Sequence, residues 1–189
     1  EKISQISPML NSFDVSLIQE NFWHDTALQR KNRFPFRMDG TLATGEWALV
    51  GSGLASFSAY PIEPIMNEEW MDCNGYWTSE NDCMAEKGFQ AFRIPLDSDN
   101  PEKSIHVYNL HMDAGDLVSD QWVRTKQVIQ LIRALKRLSS DTAVMVVGDF
   151  NMKPENKSML LDRLSMNQLL RHSKLKDACV TLNCPNPDE

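Results

Sequence analysis

Polar side chains able to do acid–base chemistry follow an apolar run at residues 143–151, which reads Ala-Val-Met-Val-Val-Gly-Asp-Phe-Asn. The β-branched run stops at Gly148, and Asp149 and Asn151 come directly after it. If the backbone stays extended, the two side chains share one face, so the carboxylate could accept a proton while the amide stabilises an oxyanion. Gly-Asp-x-Asn is also good turn composition, and this run alone leaves both interpretations open.

Two further runs end in the same way. Residues 15–20 read Val-Ser-Leu-Ile-Gln-Glu, and residues 104–111 read Ser-Ile-His-Val-Tyr-Asn-Leu-His, so each predicted strand finishes on a polar group. Taken alone, the first carboxylate is better interpreted as a solvated group at a strand end. Open α/β sheets, however, gather ligands at the carboxyl ends of their strands. We therefore predict one site built from Glu20, His111, Asp149 and Asn151.

The elements that must carry these groups alternate between strands and helices. The run 143–147 is continuously apolar, which predicts a strand buried on both faces. Before it, an apolar stripe with helical spacing predicts a helix capped by Ser119 or Asp120; the stripe consists of Val128, Leu131, Ile132, Leu135 and Leu138. Arg124 falls on the apolar side of this helix, so we expect it to reach a buried carboxylate or the site. A helix over about 154–170 and a strand over 175–180 follow.

The first half of the chain yields fewer elements. Residues 24–46 predict a short helix followed by a loop, and 47–60 a hairpin around Gly51-Ser52-Gly53. Strands are expected at 68–73 and 89–94, the second preceded by Lys87. A lysine at a strand entrance is commonly solvated, but this one lies on the strand next to 104–111, which makes it a candidate substrate contact.

Length and charge restrict the class of protein. A chain of 189 residues with 42% hydrophobic content can bury one sizeable core, so we expect a single domain over 1–189. A net charge of -7 disfavours a surface built to bind nucleic-acid phosphates. No run approaches the roughly 18 apolar residues that a membrane-spanning helix requires, which predicts a soluble chain.

Four cysteines form two close pairs, Cys73 with Cys83 and Cys179 with Cys184. They are either disulfides of an oxidising compartment or reduced thiols, and the absence of Cys-x-x-Cys spacing disfavours a zinc site. The segment between Cys73 and Cys83 is rich in turn-forming residues. We therefore predict a Cys73–Cys83 disulfide and, with it, a secreted protein.

Three of these motifs resemble the endonuclease/exonuclease/phosphatase (DNase-like) superfamily. They are 15–20, 108–111 (Tyr-Asn-Leu-His) and 147–151 (Val-Gly-Asp-Phe-Asn), and the resemblance covers about 13–155. It implies an α/β fold of the α+β sandwich kind, with four layers in which helices flank two packed mixed β-sheets. It also implies a chain incomplete at both ends, since the superfamily normally adds an asparagine strand before these motifs and an Asp-His pair after them.

The resemblance assigns a role to each residue of the predicted site. Glu20 would bind Mg²⁺ or another divalent cation, His111 would contact the scissile phosphate, Asp149 would help to activate water, and Asn151 would stabilise the charged transition state. Hard cations prefer carboxylate oxygen, which agrees with these roles. We expect the substrate to be contacted further by Lys87, Asn109 and Arg124.

Residues 82–89, Asp-Cys-Met-Ala-Glu-Lys-Gly-Phe, resemble the sphingomyelinase-like branch of the superfamily. The predicted function is accordingly a Mg²⁺-dependent phosphodiesterase that hydrolyses a phospholipid at a membrane surface. A Mg²⁺-dependent nuclease of the same fold is the main alternative, although the acidic composition does not favour it. A non-catalytic binding module is a second alternative, which the joint presence of the four site residues disfavours.

Overall fold

The computed structural model describes residues 2–23, 25–42, 49–76, 79–97, 99–100 and 102–182. Its strands are β1 (Val15–Ile18), β2 (Phe36–Asp39), β3 (Ala55–Ser58), β4 (Glu63–Glu69), β5 (Gly88–Pro95), β6 (Ser104–His111) and β7 (Ala143–Asp149). Its α-helices are α1 (Lys2–Met9), α2 (Asp25–Gln29), α3 (Val118–Leu138), α4 (Leu160–Ser173) and α5 (Ala178–Leu182). Short 3₁₀ helices cover Leu10–Ser12 and Ser79–Met84.

The strands form two sheets. The first has the order β1-β3-β2 with antiparallel pairs, and the second has the order β4-β5-β6-β7, in which only β6 and β7 are parallel. The β6–β7 connection contains helix α3, as a parallel pair requires a crossover. Both strands therefore end at the same edge of the second sheet, where the sequence predicts chemistry.

The two sheets pack face to face through alternate residues of their strands. Met38 on β2 belongs to the same buried cluster as Phe92 and Ile94 on β5 and Val107 on β6. A polar contact accompanies this apolar core, because Ser56 Oγ on β3 donates a 2.5 Å hydrogen bond to Gln90 Oε1 on β5.

Helices cover the outer faces of both sheets. Leu28 of α2 packs with Ala55 and Phe57 of β3, while Leu131 of α3 and Leu169 of α4 pack with the second sheet. The sequence of layers is helix, sheet, sheet, helix. The predicted α+β sandwich of two sheets flanked by helices is confirmed.

Strand β7 departs from the prediction that it is buried on both faces. Val144 and Val146 pack against the core beneath α3 and α4, but Met145 remains 50% exposed and Val147 38% exposed. The prediction was wrong because β7 lies at the edge of its sheet, where a continuous apolar run does not guarantee two covered faces. Gly148 has a φ of +141°, and a Cβ there would lie 2.1 Å from the Leu110 carbonyl oxygen, so the close approach of β7 to β6 requires glycine.

Several predicted elements differ from those observed. The hairpin over 47–60 is wrong, because β3 pairs with β1 and β2, although 43–48 lie outside the described residues. Of the strand expected at 68–73, only 68–69 are strand, as the end of β4, and 70–73 are not; the loop expected within 24–46 contains β2. The strand expected at 175–180 is wrong: α5 occupies its end, and Asp177 Oδ1 accepts a 3.1 Å hydrogen bond from Val180 N.

The helix boundaries also shift. Helix α3 follows Leu117, and Asp120 caps it from inside the first turn by accepting a 2.8 Å hydrogen bond from Leu117 N. Helix α4 begins at Leu160 rather than near 154. Among the described residues, no helix combines the length and apolar character needed to cross a bilayer.

Candidate active site

Glu20 and His111 meet where strands of the two sheets end. Glu20 follows β1 and His111 is the last residue of β6, and Glu20 Oε1 lies 3.9 Å from His111 Nε2. The Glu20 side chain is 70% exposed, whereas His111 is 1% exposed. The pair therefore consists of an accessible carboxylate at the mouth of the site and an imidazole that forms its floor.

Asp149 is beside His111 in the second sheet. The two residues are register partners in the parallel β6–β7 pair, so their side chains emerge on the same face. Asp149 Oδ1 accepts a 2.8 Å hydrogen bond from Asn151 N, and Asn151 Nδ2 donates a 3.0 Å hydrogen bond to the Met112 carbonyl. The Gly-Asp-x-Asn segment is thus a turn, and this turn brings both side chains to the edge that carries His111.

Two of the predicted site residues have left-handed backbone conformations. Glu20 has a φ of 59° and Asn151 a φ of 50°, which is uncommon for residues other than glycine. Such conformations cost on the order of 1–3 kcal/mol and cluster at functional sites. Their occurrence at two converging strand ends is a second reason to place the site here.

A cavity of about 600 Å³ opens next to this edge. Its walls are formed by 114–116, which follow β6, and by 149–153, which follow β7. On its rim, Lys153 Nζ contacts both carboxylate oxygens of Asp116 at 2.7 Å. Asp149 and Asn151 line the cavity, so a molecule inside it could be contacted by both of them.

The His111 ring is uncharged at neutral pH. Burial is the main reason that its pKa falls to about 4, and the positive charge of Lys87 acts in the same direction. The negative charge of Asp149 opposes the shift without reversing it. His111 Nδ1 is buried without a hydrogen-bond partner. A neutral imidazole next to Glu20 places no positive charge against a cation bound by that carboxylate.

Two side chains that were not predicted to belong to the site form hydrogen bonds with the backbone of His111 and of Asp113. Trp70 Nε1 donates a 2.7 Å hydrogen bond to the His111 carbonyl, and Gln127 Oε1 accepts a 3.0 Å hydrogen bond from Asp113 N. Burial raises the pKa of Asp113 to about 7, with the carboxylates of Asp82 and Asp120 adding to the effect. The one local signal for Asp113 is its position two residues after His111.

Lys87 is largely buried rather than solvated. It is 9% exposed and forms an ion pair with Asp82, itself 4% exposed. Lys87 Nζ also donates a 3.3 Å hydrogen bond to the Met112 carbonyl, so the lysine supports the segment that follows His111. The structure thus shows a supporting role for Lys87, and its contact with a substrate stays a prediction.

Asn109 and Arg124 are fully buried against protein partners, so their expected contact with substrate stays a prediction that their burial disfavours. Asn109 accepts a 2.7 Å hydrogen bond from Gln19 Nε2, so it links the second sheet to the segment just before Glu20. Arg124 pairs with Asp162, and both side chains are 0% exposed. Arg124 was expected to reach either a buried carboxylate or the site, and the structure shows that it reaches the buried carboxylate of Asp162.

The predicted bridge between Cys73 and Cys83 is present, with Cα atoms 5.2 Å apart. The backbone next to it reaches towards the site, because Asn74 N donates a 2.9 Å hydrogen bond to Asp113 Oδ1. Cys184 lies outside the described residues, so the prediction for its pairing with Cys179 stays a prediction.

The donor groups at this edge suit a hard divalent cation that keeps most of its water. Within the described part of the chain, no group of three or more His, Cys, Asp or Glu side chains is arranged to hold a metal. Mg²⁺ is commonly held by one or two carboxylates, with water completing the octahedron. The exposed carboxylate of Glu20 fits that mode of binding.

The fold and the sequence were compared with known proteins. No protein-family model matches the chain. A sphingomyelinase of Mycobacterium tuberculosis is 27% identical over 169 residues, which cover 87% of this chain and 32% of that protein. The chain is therefore similar in sequence to bacterial sphingomyelinases. It spans about a third of the length of these relatives.

Solved structures agree in fold. Beta toxin from Staphylococcus aureus superposes with a TM-score of 0.73 at 18% identity, covering 93% of this chain and 64% of the toxin. Sphingomyelinase C from Streptomyces griseocarneus gives a TM-score of 0.67 at 20% identity, covering 94% of this chain and 64% of that enzyme. A beta toxin mutant solved with bound magnesium ions gives a TM-score of 0.69 at 16% identity, covering 93% of this chain and 64% of that toxin. The chain therefore shares the fold of these proteins.

Proposed function

We propose that the protein is a Mg²⁺-dependent phosphodiesterase of the sphingomyelinase type, acting on a phospholipid. The observation that carries the proposal is the meeting of Glu20 with His111, 3.9 Å apart, beside Asp149 on the neighbouring strand. The homology to sphingomyelinases supports the substrate class. A phospholipid at a membrane surface is the expected partner, and the Cys73–Cys83 bridge supports a secreted protein.

Glu20 is the metal-binding residue in this proposal. Its exposed carboxylate offers hard oxygen donors at the mouth of the site. A bound Mg²⁺ would draw electron density from the phosphate and stabilise the charge that develops on it. His111 lies against Glu20 as a neutral ring, so it can accept or donate a hydrogen bond at Nε2 without repelling the cation.

Asp149 is the proposed general base. One of its oxygens accepts the hydrogen bond from Asn151 N, which leaves the other oxygen to take a proton from the attacking water. Asn151 uses one amide hydrogen on the Met112 carbonyl and has a second for a phosphoryl oxygen. Both residues line the cavity of about 600 Å³, so each can reach a phosphate placed there.

The test is hydrolysis of sphingomyelin vesicles by the purified protein, with phosphatidylcholine vesicles and plasmid DNA as competing substrate classes. We expect Mg²⁺-dependent release of phosphocholine that stops when EDTA is added. Asp149→Asn should lower turnover by roughly 10²- to 10⁴-fold, the usual contribution of a general base. The asparagine side chain keeps the shape of Asp149 and the oxygen that accepts the hydrogen bond from Asn151 N. The midpoint temperature of thermal unfolding should therefore change little.

Asp116→Asn is the matched control, because Asp116 is a carboxylate of the same cavity, on the opposite wall, and already pairs with Lys153. It should retain most of the turnover. Near wild-type hydrolysis by Asp149→Asn would refute the assigned base. Cleavage of DNA without cleavage of either lipid would replace the lipid proposal with the nuclease alternative.

A further inference from the structure

Arg124 and Asp162 form a doubly hydrogen-bonded ion pair between α3 and α4. Arg124 Nε donates to Asp162 Oδ1 at 2.9 Å and Nη2 donates to Oδ2 at 2.9 Å. Both side chains are 0% exposed. Removing two charges from water is costly, and apolar residues could join two helices equally well. The location of this pair therefore calls for an explanation beyond helix packing.

The remaining nitrogen of Arg124 contacts the first wall of the cavity. Nη1 donates to three consecutive carbonyl oxygens, those of Asp113 at 3.0 Å, Ala114 at 3.3 Å and Gly115 at 2.8 Å. This segment begins two residues after His111. One guanidinium group thus holds the backbone that leads from β6 into the cavity wall.

Asp162 contacts the second wall. Its Oδ2 accepts a 3.4 Å hydrogen bond from Lys153 N, two residues after Asn151. The two walls also meet at their base, where Met112 N donates a 2.9 Å hydrogen bond to the Asp149 carbonyl. The ion pair is a second connection between them, farther from the strands.

We propose that Arg124 and Asp162 are positioning residues that hold the two cavity walls at a fixed separation, keeping Asp149 and Asn151 aligned with His111. Neither residue touches the substrate in this arrangement. The inference rests on the proposed phosphodiesterase function and adds to it the groups that align the site. Small displacements of reacting groups, on the order of 1 Å, can cost about a hundredfold in rate.

Two substitutions weaken the Arg124–Asp162 ion pair in different ways. Arg124→Lys keeps the positive charge but loses the planar fork, so it cannot serve both carboxylate oxygens and three carbonyls together. Asp162→Asn keeps the shape of the side chain and loses its charge. Ser165→Ala is the matched control, because it removes the 2.9 Å hydrogen bond between Ser165 and Thr125 from the same α3–α4 interface without touching either wall.

The readouts are kcat and KM on sphingomyelin, and hydrogen exchange by mass spectrometry over 112–116 and 150–154. Arg124→Lys and Asp162→Asn should each lower kcat by about a hundredfold while KM stays close to the wild-type value. Backbone exchange should become faster in these two segments. Ser165→Ala should keep kcat and the exchange of both segments while losing stability.

The proposal is overturned if Arg124→Lys and Asp162→Asn both keep the wild-type kcat. It is also overturned if Ser165→Ala loses as much kcat as these two variants when its loss of stability equals theirs. Should Arg124→Lys fail to fold, Asp162→Asn alone decides between these outcomes. An inactive wild-type protein would instead reject the proposed function. In that case, unchanged exchange over 112–116 and 150–154 would reject the positioning role, and faster exchange would support it.

Discussion

Glu20 Oε1 lies 3.9 Å from His111 Nε2, although Glu20 follows a strand of the first sheet and His111 ends a strand of the second. The contact depends on where β1 and β6 end, and on the packing that brings those ends together. Gln19 strengthens the connection, because its Nε2 donates a 2.7 Å hydrogen bond to Asn109 Oδ1, two residues before His111. A substitution at Glu20 therefore tests the proposed metal site, which exists only because the fold brings Glu20 next to His111.

Glu20→Gln should raise the Mg²⁺ concentration needed for half-maximal turnover by at least about tenfold. One formal charge leaves the proposed ligand while its shape remains. Titration of turnover with Mg²⁺ measures the effect. Glu63→Gln is the control, because Glu63 is exposed and pairs with Arg93 on the second sheet. Equal Mg²⁺ dependence of Glu20→Gln and wild type would remove Glu20 from the metal site.

Asn151→Ala should lower kcat by roughly a hundredfold, since one positioned donor to a developing oxyanion contributes about 3 kcal/mol. The variant also loses the hydrogen bond from Nδ2 to the Met112 carbonyl. Asn67→Ala controls for that loss, because Asn67 Nδ2 donates a 3.0 Å hydrogen bond to the Asp39 carbonyl. If both variants lose the same activity, Asn151 has no role specific to the transition state.

Asp113→Asn should stabilise the protein increasingly as pH rises. The pKa of Asp113 is raised from 3.8 to about 7, mainly by burial, so the folded state binds this proton more tightly than the unfolded state. Its contribution to stability is then fully present below about pH 4 and is lost as pH rises through about 7. Denaturant unfolding at about pH 5 and pH 8 measures the change, and the gain of the variant over wild type should be larger at pH 8.

Asp97→Asn is a control of opposite sign. A hydrogen bond from Asp99 N, and then one from Lys103, hold the pKa of Asp97 below its usual value. Its contribution is present above its unfolded pKa of about 3.8 and is lost as pH falls through the lower folded value. This substitution should therefore destabilise the protein at neutral pH. A difference between Asp113→Asn and wild type that does not vary with pH would contradict the predicted titration.

Replacing both Cys73 and Cys83 with serine should lower the free energy of unfolding by about 3 kcal/mol, the entropic effect of opening a loop of this size. The bridge spans a sequence separation of 10 residues. Denaturant unfolding of the wild type with and without a reductant gives the comparison, and the double variant should match the reduced wild type. Unfolding of the wild type that is insensitive to reductant would show that the bridge contributes nothing to stability.

Local patterns in the sequence were sufficient to find the carriers of the proposed chemistry. The ends of β1, β6 and β7 follow from apolar runs that stop at Glu20, His111 and Asp149, because strand periodicity is a property of neighbouring residues. The Cys73–Cys83 bridge could be predicted for the same reason, since it closes a short loop rich in turn-forming residues. Asp177 was a local signal for a helix that went unused. Its Oδ1 accepts a capping hydrogen bond from Val180 N in helix α5, where a strand was predicted.

Only the tertiary structure decided which polar residues face the cavity and which are buried beneath it. Arg124, Asn109 and Lys87 all looked available for a substrate, but each is buried against a partner, namely Asp162, Gln19 and Asp82 respectively. Two of these partners lie on other elements far along the chain. Periodicity gives the face of a strand or helix to which a side chain belongs, whereas burial depends on what packs against that face, and that packing is set by long-range contacts.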